Sequence, residues 1–226
     1  MKSIIVSSKS WHSDMSSRLE NKTGYQFSQI TDKSELILSK LDKIKPDYIF
    51  FPHWSYLIPE DVYKKYECVI FHMTDLPYGR GGSPLQNLIV RGHQDTKISA
   101  IRCVKKLDAG PIYLQQRLSL NGSAEEIFLR SSRLIESMIA KILREQKKPI
   151  EQSGEVVKFN RRTADQNDWS DAKTLDEVFD RIRMLDADGY PPAFLLVGPY
   201  KLEFSRASRK TDGVIADVKI SKVNNE

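Results

Sequence analysis

The sequence predicts an α/β fold, a mostly parallel sheet with helices on both faces, followed by a small, mostly β C-terminal part. Three observations carry this. Short continuous apolar runs, at Ser3 to Ser7, Tyr48 to Phe51 and Cys68 to Phe71, are the pattern of parallel strands buried on both faces. Segments with helical apolar spacing alternate with them, as covered parallel sheets require. After Pro149 the character changes to short strands separated by glycine and charged turns.

Along the chain, Asp32 to Lys43 reads as one helix, with Glu35 at capping-box spacing from Asp32, and Leu36, Ile37, Leu41 and Ile44 recurring at helical intervals until Pro46 stops it. Pro59 to Lys65 reads as a helical turn or short helix. Pro84 to Val90 reads as a short helix opened by its proline. Ile98 to Val104 and Ile112 to Leu120 are strand-like. A long helix begins at Ser123, where Ser123 and Glu126 form a capping box; its stripe is Ile127, Leu134, Ile135, Met138, Ile139, Ile142 and Leu143. Beyond the boundary placed near residue 150, Val156 to Phe159, Phe194 to Val197, Tyr200 to Phe204 and Val214 to Ile220 are strands, and Thr174 with Glu177 caps a further helix.

The composition is that of a globular chain able to bury a core without metal or disulfide staples: 226 residues, 40% hydrophobic and 29% charged. The net charge of +5 mildly favours anionic ligands and falls well short of a nucleic-acid-binding signature. No apolar run approaches the roughly 20 residues of a membrane span, and Ser7, Ser8 and Lys9 interrupt the first one. Cys68 and Cys103 lie within apolar runs, as reduced core thiols do. A cytoplasmic protein without nucleic-acid or membrane partners is the expectation. His12, His53, His72 and His93 are scattered without ligand spacing, so no metal site is expected.

The informative stretch runs from Phe71 to Gln115. His72 stands where a buried strand gives way to a loop, and substrates of open α/β sheets bind beyond the carboxyl ends of the strands. The loop is tightly turned by Pro77, Gly79, Gly81, Gly82 and Pro84. Arg80 within it is placed either to pair with a phosphate or to fix the loop. A second turn follows at Leu107-Asp108-Ala109-Gly110-Pro111. His72 and Asp108 are thus two titratable groups on neighbouring loops, suited to proton transfer. Read blandly, His72 is a core histidine and Asp108 a turn former.

The series His72, Leu76-Pro77, Arg80-Gly81, Pro84-Leu85-Gln86, then Arg91-Gly92-His93 with Thr96, then Leu107-Asp108-Ala109-Gly110-Pro111-Ile112 resembles the formyltransferases that use N10-formyltetrahydrofolate. Asn167-Asp168-Trp169-Ser170 and Gly189-Tyr190-Pro191-Pro192-Ala193-Phe194 extend the likeness past the first domain. The resemblance implies a Rossmann-like catalytic domain over 1–150 and a C-terminal subdomain over 151–226 that adds substrate contacts and a homodimer interface. His72 matches the catalytic histidine and Asp108 the catalytic aspartate, which orients His72 or holds a relaying water. Trp54, Tyr56, Leu57, Ile58, Leu107 and Asp108 match the folate-binding positions.

Two residues before His72 the family carries an asparagine that donates to the oxyanion, and this chain has Ile70. His53, Ser55 or a backbone amide are the candidate replacements. The chain is too short for the methionyl-tRNA branch with its longer C-terminal barrel, and it lacks the glycine-rich N-terminal phosphate loop of the glycinamide ribonucleotide branch, so a nucleotide-linked amino sugar is the expected acceptor, UDP-linked and of the pseudaminic acid type. The alternatives are another amine formyltransferase, of the methionyl-tRNA or glycinamide ribonucleotide type, and a non-catalytic homologue that binds folate and a nucleotide sugar. Lys9, Trp11, Thr74, Tyr78, Arg80, Gly81, Ser83, Arg162, Tyr190 and Phe194 are its expected contacts.

Overall fold

The structure is a computed structural model that describes residues 1–223. It divides into two compact units. The first comprises residues 1–81, 96–118 and 129–158; the second comprises 82–95, 119–128 and the described residues from 159 on.

In the first unit, β1 (Lys2–Val6), β2 (Gln26–Ile30), β3 (Tyr48–Phe51), β4 (Cys68–His72), β6 (Asp95–Arg102) and β7 (Ile112–Ser119) form a six-stranded sheet in the order β2-β1-β3-β4-β6-β7. The pairs β1–β2, β1–β3 and β3–β4 are parallel. Strand β6 runs antiparallel to β4, with His72 opposite Ser99, and β7 returns antiparallel beside β6, the Arg102 amide donating to Pro111 O and the Leu120 amide to Gln94 O, so the parallel strands of the sequence reading are β2, β1, β3 and β4. The helices α1 (Met15–Thr23), α2 (Leu38–Ile44) and α3 (Glu60–Lys65) follow β1, β2 and β3 in turn.

Burial explains why these runs are strands. Ile4, Val6, Ile49 and Phe51 share one core cluster with Leu41 of α2 and Val62 of α3. The alternate residues Ile5 and Phe50 are equally buried and point to the other face, where the Phe50 ring meets Phe71 at 6.3 Å. Cys68 and Cys103 are free and buried, and burial raises both thiols well above their usual range.

The expected single helix over Asp32 to Lys43 is corrected. Asp32 accepts from the Ser34 amide at 2.7 Å and caps only a 3-10 turn, Lys33–Glu35. Leu36 drops into the core, Ile37 is extended and half exposed, and α2 starts at Leu38. The capping side chain was satisfied by the shorter turn, and Ile37 never joined the apolar stripe.

The remaining elements are β5 (Tyr78–Gly81), α4 (Pro84–Val90), α5 (Ala124–Glu145), β8 (Val157–Phe159), α6 (Leu175–Arg183), β9 (Ala193–Val197), β10 (Tyr200–Arg209) and β11 (Val214–Lys222). Strands β5 and β8 form a two-stranded sheet. The α5 cap has the predicted reciprocal geometry: the Ser123 amide donates to Glu126 at 2.8 Å, and the Glu126 amide donates to Ser123 Oγ at 3.3 Å. Ile127, Ile135, Met138, Ile139, Ile142 and Leu143 of this helix are buried. In the second unit β9, β10 and β11 make an antiparallel sheet on which α6 packs. Thr174 caps α6 by accepting from the Glu177 amide. No helix among the described residues is long and apolar enough to cross a membrane.

Phe50 is fully buried in a central strand. Phe50→Ala therefore lowers the unfolding free energy by about 3–5 kcal/mol, read as a lower urea midpoint at unchanged slope.

Candidate functional site

His72 ends β4 and is buried beside the tight loop that follows. Its Nε2 lies 2.8 Å from the Gly79 carbonyl oxygen. A carbonyl only accepts, so Nε2 carries the proton in the neutral ring and Nδ1 is left with its lone pair. That Nδ1 faces Asp108 Oδ1 at 3.6 Å, too long for a hydrogen bond and short enough for strong attraction once Nδ1 takes a proton.

Asp108 is held from several sides. Its other oxygen, Oδ2, accepts from the Gly81 amide at 2.9 Å. Its backbone is left-handed, with φ at 50°, a conformation that strains a non-glycine residue. Gln152 Nε2 donates to the carbonyls of Asp108 and Gly110, both at 2.8 Å. Arg80 in turn donates through Nε and Nη2 to Gln152 Oε1 at 3.0 and 2.6 Å. Of its two expected roles, Arg80 thus performs loop fixing. The motif did not point to Gln152; its only signal was an amide side chain next to the chain that closes the site. Gly110 is required by close approach, because a Cβ there would stand 1.8 Å from the Arg102 carbonyl oxygen.

A cavity of about 260 Å³ adjoins Asp108, and all six residues expected to bind folate line it: Trp54, Tyr56, Leu57, Ile58, Leu107 and Asp108. Ile70 and Cys103 contribute further apolar wall. Trp54 carries a buried Nε1–H with no acceptor among the described residues. Of the two side chains proposed to replace the missing asparagine, Ser55 is exposed and His53 turns toward His12, and neither lines this cavity.

His53 belongs to a separate cluster at the ends of β1 and β3. The Lys9 amide donates to Ser7 Oγ at 3.3 Å, Ser7 Oγ lies 2.7 Å from His12 Nδ1, and His12 Nε2 lies 3.4 Å from His53 Nδ1. The two imidazoles stack at 5.1 Å, and Trp11 meets each edge-on at 6.0 Å. Lys9 places its ammonium 5.2 Å over the Trp11 ring. Burial, followed by the charges of Arg18 and Lys9, lowers His12 to about 4. Burial, His12 and Lys9 lower His53 to about 3. Lys9 and Trp11 therefore stand together, while Thr74, Tyr78, Arg80 and Gly81 belong to the loop around His72, where Thr74 Oγ1 donates to Gly79 O at 3.4 Å.

The other expected contacts lie in the second unit. Ser83 Oγ accepts from the Arg162 amide at 3.1 Å. Tyr190 stacks on Phe128 at 5.3 Å, and Phe194 lies under the Lys201 ammonium at 4.7 Å. Both rings are therefore engaged in packing within that unit. Among the described residues, no group of three or more His, Cys, Asp or Glu could hold a metal ion.

The family model described as "Formyl transferase" matches residues 6–129, and that described as "Methionyl-tRNA formyltransferase, C-terminal domain" matches 164–221. The chain belongs to the formyl transferase family. A solved structure titled methionyl-tRNA formyltransferase from Clostridium thermocellum is 46% identical, with a TM-score of 0.95 over 99% of this chain and 100% of that one. The methionyl-tRNA formyltransferase of Bacillus thuringiensis (strain Al Hakam) is 28% identical over 169 residues, which are 70% of this chain and 52% of that protein. The chain thus spans about half the length of the curated relatives it matches. A sugar N-formyltransferase from Shewanella shares the fold at 14% identity and a TM-score of 0.72, over 94% and 99% of the two chains.

These likenesses correct the expected nucleotide-sugar acceptor and the expected absence of a nucleic-acid partner. The first rested on chain length and the second on the modest net charge as well; the methionyl-tRNA type stood among the alternatives. A family member named for methionyl-tRNA is matched end to end at this length, so a short C-terminal part does not set that branch aside.

Two outcomes follow from the geometry. Gly110→Ala forces the Asp108 turn away from Arg102 and costs about 1–3 kcal/mol, measured by thermal unfolding. His12 has a folded value near 4 against 6.5 when unfolded, so between those pH values the unfolded chain binds the extra proton. Stability is then fully present above pH 6.5 and falls on acidification by up to about 1.4 kcal/mol per pH unit for this one group. In His12→Asn the stability–pH curve, taken from urea titrations, is flatter by that amount over the same window.

Proposed function

We propose that the chain transfers a formyl group from N10-formyltetrahydrofolate to the amine of methionyl-tRNA. The observation that carries this reading is the pairing of His72 and Asp108 at the edge of the cavity, with the histidine tautomer already chosen. The cavity suits a folate ring. It is walled by Trp54, Tyr56, Leu57, Ile58 and Ile70, and the unpartnered Trp54 Nε1–H offers a donor to a heterocycle that brings its own acceptors. The acceptor assignment is supported by the end-to-end likeness to the Clostridium thermocellum protein and by the methionyl-tRNA formyltransferase description of residues 164–221.

When bound, the folate supplies the electrophilic formyl carbon, and its N10 departs as the new amide forms. The chain handles the protons and the charge. As the amine nitrogen bonds to carbon it becomes acidic, and His72 Nδ1, unprotonated and unencumbered by a direct hydrogen bond to Asp108, receives its proton. The ring is then cationic, and Asp108 at 3.6 Å stabilises it while Gly79 keeps the ring from turning. The same Nδ1–H subsequently serves as donor, first toward the charge on the formyl oxygen and then toward the departing nitrogen. General acid–base assistance of this kind contributes about 10²–10⁴ in rate.

His72→Ala and Asp108→Asn each lower formyl-methionyl-tRNA formation by about 10²–10⁴-fold, and in His72→Ala, whose side chain does not line the cavity, tetrahydrofolate affinity stays within a few-fold of wild type. Formation is followed by the mass gain of one formyl group replacing one hydrogen. Tetrahydrofolate binding without transfer to methionyl-tRNA by the wild-type chain would overturn the acceptor assignment. Binding without transfer to any amine would leave a folate-binding protein that lost catalysis with its asparagine.

A further inference from the structure

The second unit gathers three arginines from three different segments. Arg91 follows α4, Arg162 follows β8, and Arg181 lies in α6. Arg91 and Arg162 are fixed by neutral partners, and Arg181 by a backbone carbonyl and one carboxylate. Arg91 lies 4.5 Å over the Phe159 ring and donates through Nη1 to Asn87 O and Oδ1 at 2.8 and 2.9 Å. Asn87 Nδ2 also donates to the carbonyls of Gly82, Ser83 and Asn160, so one side chain ties α4 to the strand leading into Arg162. Arg162 donates through Nη2 to Gln166 O, while its Nε–H is buried and has no acceptor among the described residues. Arg181 donates to Asp168 O at 3.5 Å and to Asp171, itself largely exposed, at 3.3 Å.

Gathering like charges around a half-buried guanidinium costs energy unless an anion offsets it. Burial lowers Arg162 below the usual arginine range, and the charges of Arg181 and Arg91 lower it further, against smaller opposite effects of Asp165 and Asp171. The carboxylate hydrogen-bonded within this group is Asp171, on Arg181, and it is largely exposed. Guanidinium groups in a fixed arrangement match the several oxygens and the double charge of a phosphate.

We infer that Arg91, Arg162 and Arg181 form an anion site that binds a phosphate ester of the formyl acceptor. Only the source of that phosphate, the RNA backbone near the aminoacyl end, rests on the acceptor assigned above. The site itself rests on the cluster. Asn87 is its positioning residue, and the aromatic face of Phe159 holds the Arg91 guanidinium without neutralising it.

Titration calorimetry with inorganic pyrophosphate at low salt tests the site, and anisotropy of a labelled acceptor-stem RNA across a salt series tests the source. In Arg162→Met and Arg181→Met, pyrophosphate affinity is expected to fall about tenfold or more. RNA binding is expected to weaken, with a slope of log K against log salt shallower by about 0.9 for each phosphate contact removed. Arg162→Lys recovers part of the charge without the fork and is expected to lie between. Circular dichroism and unchanged tetrahydrofolate affinity establish that the variants are folded. Pyrophosphate affinities within twofold of wild type in both methionine variants would overturn the site. Loss of pyrophosphate binding with an unchanged RNA slope would uphold the site and overturn the RNA source. Absent methionyl-tRNA turnover in a wild type that still binds pyrophosphate through Arg162 would reject the acceptor and leave the site standing.

Discussion

The candidate site depends on one strained turn. Asp108 adopts a left-handed backbone that costs of order 1–3 kcal/mol, and in return its carboxylate faces His72 with one oxygen while the other is held by the Gly81 amide. The strain is sustained by contacts that converge from distant parts of the sequence. Gly110 lets the turn close against the Arg102 carbonyl, and Gln152 binds the two carbonyls on either side of Ala109. Arg80 locks Gln152. The glycine-rich loop after β4 therefore serves the site twice, supplying the Gly79 carbonyl that sets the histidine tautomer and the arginine that secures the opposing turn.

The second polar cluster of this unit obeys a different constraint. Ser7, His12 and His53 form a buried chain in which protonation is opposed by burial and by nearby cations. The Lys9 amide donates to Ser7 Oγ, Ser7 Oγ bonds His12 Nδ1, and His12 Nε2 faces His53 Nδ1. Such a network positions residues at the ends of β1 and β3 without carrying charge, which suits a wall of the sheet's carboxyl edge better than an acid–base role.

Much of this was legible in the sequence for identifiable reasons. Continuous apolar runs located β1, β3 and β4, since strands buried on both faces leave little ambiguity. The Ser123 and Thr174 caps located the starts of α5 and α6 because their partners lie three residues on. Strand β2 was missed because Gln26, Ser28 and Gln29 dilute its apolar signal, and α1 because MSSRLENKT carries only Met15 and Leu19 toward the core. His72 and Asp108 stood out through turn residues around them. Gln152 had no local signature, since the residues it binds, Arg80, Asp108 and Gly110, lie tens of positions away.

Ile70 is where sequence and geometry must be weighed together. An asparagine at that position would donate to the oxyanion, and its loss elsewhere costs on the order of 10²–10³ in turnover. Here the side chain adds apolar wall to the cavity beside Asp108. A drier wall strengthens the attraction between the carboxylate and a protonated His72. In the mechanism proposed above, the proton that His72 receives from the amine then meets the oxyanion, so stabilisation of the oxygen follows deprotonation of the amine, an order of events that a separate asparagine would not impose.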